Sequence, residues 1–186
     1  MQKILIVDCG SNKIPSLEAA VFAYADYQTL PFFDVQPSQL AGFSGVIISG
    51  APILITEENM LPYLTHASWI KTLDIPILGI CFGHQLIGLL YHASASRMKA
   101  CRAMNEIEQF EECPILNRLP QVFEMQEDHC ESISIPEEFQ LVANSDECVN
   151  EVMQHEKKAI YGVQFHPEVS GKAGDILIEN FISLCE

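Results

Sequence analysis

Basic residues are scarce in this chain: Lys and Arg number 10 against 25 Asp and Glu, a formal net charge of −15 over 186 residues. That balance disfavours a phosphate backbone or an anionic membrane surface, so neither nucleic acid nor membrane is an expected partner. Long apolar runs are missing as well. Gly, Pro or a polar residue breaks each one short of the roughly 18 residues that a membrane span needs. No CxxC pair occurs among the seven cysteines, whose number is odd and whose spacings are wide. A disulfide framework and a zinc cluster both lack their usual starting point, no metal or other cofactor is expected, and a reducing cytoplasm is the expected compartment. The first residues, MQKILIVDCG, hold one lysine and no small-residue cleavage site, and read as a strand and not as a signal peptide.

What the chain does have is apolar content. At 48% hydrophobic and 19% charged residues it can bury a core, and 186 residues suit one domain across residues 1–186. KILIVD (3–8), YQTLPF (27–32), GVIISG (45–50) and IPILGI (75–80) are predicted strands. Between them the period changes. Leu17, Ala20, Val21 and Tyr24 mark one helix face, residues 62–74 suit a second helix, and GHQLIGLLYHA (83–93) suits a third. Strand alternating with helix implies parallel strands joined by crossover helices, and continuously apolar strands imply a sheet covered on both faces. Functional groups in such sheets gather at the strand carboxyl ends, here DCGS, SGAP and GICFG. From about residue 100 shorter strand candidates follow at 106–110, 122–125, 139–145 and 159–165, and DILIENFISLC (175–185) closes as an amphipathic helix.

GICFGHQL (79–86) places a cysteine between two glycines at the end of an apolar run. Strand, G-x-C-x-G and helix have the form of a nucleophile elbow. The tight turn strains the backbone of Cys81 and points its side chain outward, while Gly79 and Gly83 let strand and helix pack closely. The helix start lays its positive end and free N–H groups beside Cys81, favouring a thiolate and a developing oxyanion. A buried structural cysteine is the plainer alternative for this stretch alone.

A nucleophilic cysteine needs a base, and the base needs an orienting group. Of six histidines, His66, His84, His92, His129 and His155 sit in polar or helical surroundings where a solvated ring is the ordinary reading. His166 differs: it ends an apolar strand in YGVQFHPEV, directly before Pro167. Proline favours an extended predecessor, and in an extended chain residues i and i+2 share a side. His166 and Glu168 are thus expected side by side, with the carboxylate fixing the imidazole.

From KILIVDCGS through IISGAP and PILGICFGHQL to YGVQFHPEV, the chain resembles the class I (triad) glutamine amidotransferases almost end to end. The order of motifs and the ending GVQFHPEVSGKAGDILIENFISLC are most similar to the glutaminase part of GMP synthetase. The resemblance implies a flavodoxin-like α/β fold, with a mostly parallel sheet between helices and extra short strands in the second half. It implies hydrolysis of glutamine through a glutamyl thioester on Cys81, with His166 as acid and base and Glu168 orienting it. It also implies oxyanion donors at the backbone N–H groups of Ala51 and Phe82, and substrate contacts from Gly50 and Gln85. This chain has SGAP where the family usually has SGGP, so its loop requires that position 51 not adopt positive φ. MQEDHCES (125–132) departs from the family's Ser-His-Gly-Asp stretch, with Asp128 the matching position, and the first loop GSNKIPS (10–16) departs as well.

The sequence holds no GxxxxGK[ST] and no pyrophosphatase-type loop to bind ATP. The resemblance therefore implies a separate ATP-dependent synthetase chain, docked over the strand ends, as consumer of the ammonia. Two alternatives stand beside it: a stand-alone cysteine hydrolase of γ-glutamyl compounds, and a non-catalytic regulatory subunit of the same fold.

Overall fold

KILIVD forms strand β1 (Lys3–Asp8) in the computed structural model, which describes residues 2–185. Ile4, Leu5, Ile6 and Val7 are all fully buried. Ile4 and Ile6 enter one core layer, Leu5 and Val7 the other, as a strand covered on both faces requires. The remaining strands are β2 (Asp26–Pro31), β3 (Gly45–Ile48), β4 (Ile77–Ile80), β5 (Ala95–Cys101), β6 (Met104–Gln109), β7 (Val122–Gln126), β8 (His129–Ile133), β9 (Phe139–Asn144), β10 (Val152–His155) and β11 (Ile160–Val163). One sheet runs β2-β1-β3-β4-β11-β10-β9-β6-β7 and a small second sheet pairs β5 with β8. The first five strands of the large sheet are parallel, in flavodoxin-like order, and the rest pair antiparallel.

Four α-helices, α1 (Ile14–Phe22), α2 (Leu61–His66), α3 (Phe82–Leu90) and α4 (Gly171–Ser183), complete the layers among the described residues. Leu17 and Val21 of α1 and Leu177, Ile178 and Phe181 of α4 bury against one face of the sheet. Phe82, Leu86 and Ile87 of α3, with Trp69 and Ile70, bury against the other. Each such fully buried side chain contributes about 1.5–3 kcal/mol of transfer free energy. None of the described helices is long and apolar enough to cross a membrane.

Several expectations need correcting. The helix expected over 62–74 stops at His66 and continues as a 3-10 segment, Ala67–Lys71. The first helix ends at Phe22, which leaves Tyr24 exposed. Strands β5, β8 and β10 had no counterpart in the sequence reading. ASRMKAC and HCESI alternate polar and charged residues with small ones, so their apolar period is weak, and pairing across the sheet defines them instead.

Candidate active site

β4 and β11 are parallel neighbours, with Ile80 opposite Val163. Their carboxyl ends therefore deliver residue 81 and the segment 164–168 to the same edge of the sheet. Cys81 sits in the single-residue bend between β4 and α3, with φ 50° and ψ −104°. That is the strained conformation expected of an elbow, in a region L side chains avoid. Cross-strand bonding holds it there: the Cys81 N–H donates to Val163 at 2.8 Å, and its carbonyl accepts the first helical bond from Gln85 at 3.0 Å. The flanking glycines are needed for space. A Cβ on Gly79 would lie 2.6 Å from the backbone of Gly83, and one on Gly83 would collide with the Ile48 carbonyl.

His166 and Glu168 do meet, with Nδ1 2.8 Å from Oε1 and both side chains almost fully buried. The route differs from the expected extended one. Pro167–Val169 is a 3-10 turn, and this turn, not alternation along a strand, swings the carboxylate back under the ring. The Ser170 hydroxyl closes it by donating to the His166 carbonyl at 2.6 Å. His166 and Cys81 line one cavity. Burial by itself would push the imidazole down, but hydrogen bonding to Cys81 and Glu168, together with their charges, outweighs it and raises His166 to about 10. An imidazolium is thus held between sulfur and carboxylate.

The expected oxyanion donors lie beside the thiol. Among the described residues neither the Ala51 nor the Phe82 amide donates a hydrogen bond, and Phe82 opens α3, where no helical partner exists. The Ser49 hydroxyl donates to the Gly50 carbonyl at 2.9 Å. In the trans peptide that follows, the Ala51 N–H points away from Ser49, and Ala51 lines the cavities on both sides of Cys81. Positive φ occurs at neither Gly50 nor Ala51, so SGAP serves the loop as well as SGGP would. Gly50 is needed for closeness: a Cβ there would lie 3.0 Å from Cε1 of His166.

Two cavities flank the thiol. One, of about 240 Å³, opens between Gly10–Lys13, Ala51, Asp128 and His166. The other, of about 130 Å³, lies between Ile53, Gln85, Arg102 and residues 128–131. Gln85 reaches the second, and its amide donates to the Glu131 carbonyl and to Gln164 Oε1, each at 3.2 Å. A larger concavity of about 720 Å³ follows residues 109–121 and contains none of the expected site residues.

Other groups reach the site as well. Gln164 is fully buried and its Nε2 lies 3.7 Å from the Cys81 sulfur; its place two residues before His166 was the available signal. Asp128 joins Lys13 at 2.7 Å and Arg102 at 3.4 Å, and its carbonyl lies 3.9 Å from the sulfur. Burial would raise the Asp128 carboxyl, but Lys13 above all, then His166 and Arg102, hold it below the usual range. The Glu131 carboxylate accepts from the Ile55 amide at 2.6 Å and also from Thr56, fixing the far wall. The reading of five solvated histidines is corrected for three: His84, His129 and His155 are buried. Tertiary packing covers them, and His84 is pushed down to about 3 by that burial.

The family model described as glutamine amidotransferase class-I matches residues 5–184. Among curated proteins, the glutamine-hydrolysing subunit of GMP synthase from Pyrococcus furiosus is 40% identical over 144 residues, covering 76% of this chain and 75% of its own. Its counterpart from Methanosarcina acetivorans is 42% identical over 145 residues, with 76% and 74% covered. Among solved structures, a Thermoplasma acidophilum protein assigned to the same GMP synthase component superimposes with a TM-score of 0.90 at 32% identity, covering 100% of this chain and 94% of its own. A Thermotoga maritima glutamine amidotransferase, at 20% identity and a TM-score of 0.75, covers 96% of this chain and 81% of its own, and shares the fold. With the family model spanning nearly its whole length, the chain belongs to the class-I glutamine amidotransferases.

Proposed function

We propose that this chain hydrolyses glutamine to glutamate and ammonia, and delivers the ammonia to a separate ATP-dependent synthetase of the GMP synthase type. The observation that carries the proposal is the meeting of a strained Cys81 with a His166–Glu168 pair beside two free backbone amides. The Cys81 thiolate attacks the side-chain amide carbon of glutamine, and the N–H groups of Ala51 and Phe82 take the oxyanion. As the tetrahedral intermediate collapses, the C–N bond breaks and His166 gives its proton to the leaving nitrogen, releasing ammonia and a thioester. Water then attacks the thioester, His166 takes its proton, and glutamate leaves with the thiolate restored. Arg102 and Asp128 bring opposite charges to the mouth of the smaller cavity, matching the two charges of an amino acid.

Relatives named as the glutamine-hydrolysing component of GMP synthase support a chain that works with a separate partner. The site opens at the carboxyl edge of the parallel strands, which is where such a partner would dock. Seven free thiols suit a reducing cytoplasm.

A glutamine-like diazo-ketone with free glutamine as competitor tests the proposal, read by intact mass and by the modified peptide. The expected result is one modification, at Cys81, suppressed by glutamine. Burial pushes Cys9, Cys113 and Cys185 to about 12, so these thiols do not compete. Modification scattered over the cysteines and indifferent to glutamine, with and without an added synthetase, would overturn it. Turnover of γ-glutamyl conjugates without any partner would instead favour the stand-alone hydrolase.

A further inference from the structure

Outside the triad, three buried side chains converge where the β7–β8 turn meets the start of β10. Glu127, His129 and Glu151 each bring one ligand atom to within 4.8 Å of the others. Glu127 and Glu151 are fully buried, and the His129 side chain is 2% exposed. Both Glu127 oxygens, Oε2 of Glu151 and Nε2 of His129 have no hydrogen-bond partner. Nε2 of His129 lies 2.9 Å from Oε2 of Glu127, but outside the direction a hydrogen bond requires.

The other ring nitrogen gives the reason. Nδ1 of His129 is 3.0 Å from the Glu131 carbonyl oxygen. A carbonyl can only accept, so Nδ1 donates to it, and this bond fixes the ring with Nε2 turned toward the carboxylates. Two buried carboxylates brought this close repel each other, and burial of such groups without a partner is heavily penalised. A cation among them converts the repulsion into coordination.

We propose that Glu127, His129 and Glu151 form a binding site for a single divalent first-row cation, zinc by the character of the donors. One imidazole and two carboxylates make a nitrogen and oxygen set that suits zinc. The His129 contact to a backbone carbonyl is the outer-shell bond that orients metal-ligating histidines. Glu151 has its own such bond: the Ser145 hydroxyl donates to Oε1 at 2.6 Å and leaves Oε2 facing the cluster.

The position gives the ion a structural role next to the glutamine site. Glu127 and His129 flank Asp128, which lines both cavities at Cys81. The Glu151 carbonyl accepts the Gln164 N–H at 2.9 Å, tying the third ligand to the residue whose side chain approaches the sulfur. Bound metal would thus pin the 127–129 turn to the central strands and hold the cavity wall. This is the stretch where MQEDHCES departs from the family's Ser-His-Gly-Asp. Spacing could not point to the site, because Glu151 lies far along the chain from the other two ligands.

The test uses the full chain, stripped with a chelator and titrated with zinc and with cobalt, followed by calorimetry, absorption and metal content by mass spectrometry. One equivalent of zinc, a higher unfolding temperature on its addition, and a cobalt spectrum without a thiolate charge-transfer band are expected. Glu127→Gln and Glu151→Gln keep side-chain volume and should each weaken zinc binding at least about tenfold. Should either variant misfold, uptake and the cobalt spectrum of the unaltered chain decide alone. The proposal is overturned by no zinc uptake, by uptake unchanged in the Glu127→Gln/Glu151→Gln double variant, or by a thiolate band placing the metal on cysteines such as Cys101 or Cys148. In the first case a proton shared between Glu127 and Glu151 is what neutralises the cluster.

Discussion

Replacing Cys81 by glycine should leave the protein more stable than replacing it by alanine, the reverse of the usual order. Both substitutions remove the sulfur, so the lost contacts with His166 and Gln164 cancel in the comparison. What remains is one methyl group at φ 50° and ψ −104°. An L side chain held in such a region costs about 1–3 kcal/mol. Against that relief, glycine gains unfolded-state freedom worth about 0.4–1 kcal/mol, and loses burial of a methyl group worth about 0.8 kcal/mol. Taking the middle of each range leaves glycine ahead by roughly 0.5 kcal/mol. Even at the low end of the strain, the usual preference for alanine shrinks from about 1.5 to about 0.5 kcal/mol. Equilibrium urea unfolding of both variants at one pH measures the difference, provided the denaturant slope is unchanged between them. An alanine variant more stable than glycine by about 1 kcal/mol or more would mean that the elbow is unstrained. The reasoning that ties the bend to an outward-facing nucleophile would then fail.

His166→Ala removes the proton carrier and should reduce glutamine hydrolysis by about 10²–10⁴-fold. Glu168→Gln should cost only about 10–100-fold, because orienting the ring is secondary to carrying the proton; equal losses in steady-state assays would refute the roles. The His166 titration, read from its Cε1 proton by NMR, should have a midpoint near 10 and move down in Cys81→Ala. Since the folded value lies above the usual 6.5, its stabilisation is complete below about 6.5 and lost as pH rises through about 10; a Cys81→Ala midpoint that does not move would show that the thiol contributes nothing. Gly83→Ala must displace α3 from the Ile48 carbonyl. An overpacking cost of about 2 kcal/mol corresponds to a melting temperature about 4–8 °C lower in a chain of this size; unchanged thermal unfolding would contradict the close packing.

The bend at Cys81 and the nearness of His166 to Glu168 were legible in the sequence, the first from a local rule and the second by a different route from the one expected. Gly79 and Gly83 bracket a cysteine at a strand end, and Pro167 follows the histidine at another. The parallel half of the sheet was legible as well, since strands such as Ile4–Val7 are apolar on both faces and need no partner to be recognised. What needed the tertiary structure depends on long-range contact. The 3-10 turn that brings Glu168 under His166 is closed by Ser170 and not by alternation along a strand. β5 and β8 exist through their mutual pairing, and their own apolar pattern is too weak to announce them. The burial of His84, His129 and His155, and the meeting of Glu127 with Glu151, follow from which strands lie side by side. Side-chain pattern encodes which face of an element is apolar; only the folded chain decides which polar groups are carried inside with it and what they face there.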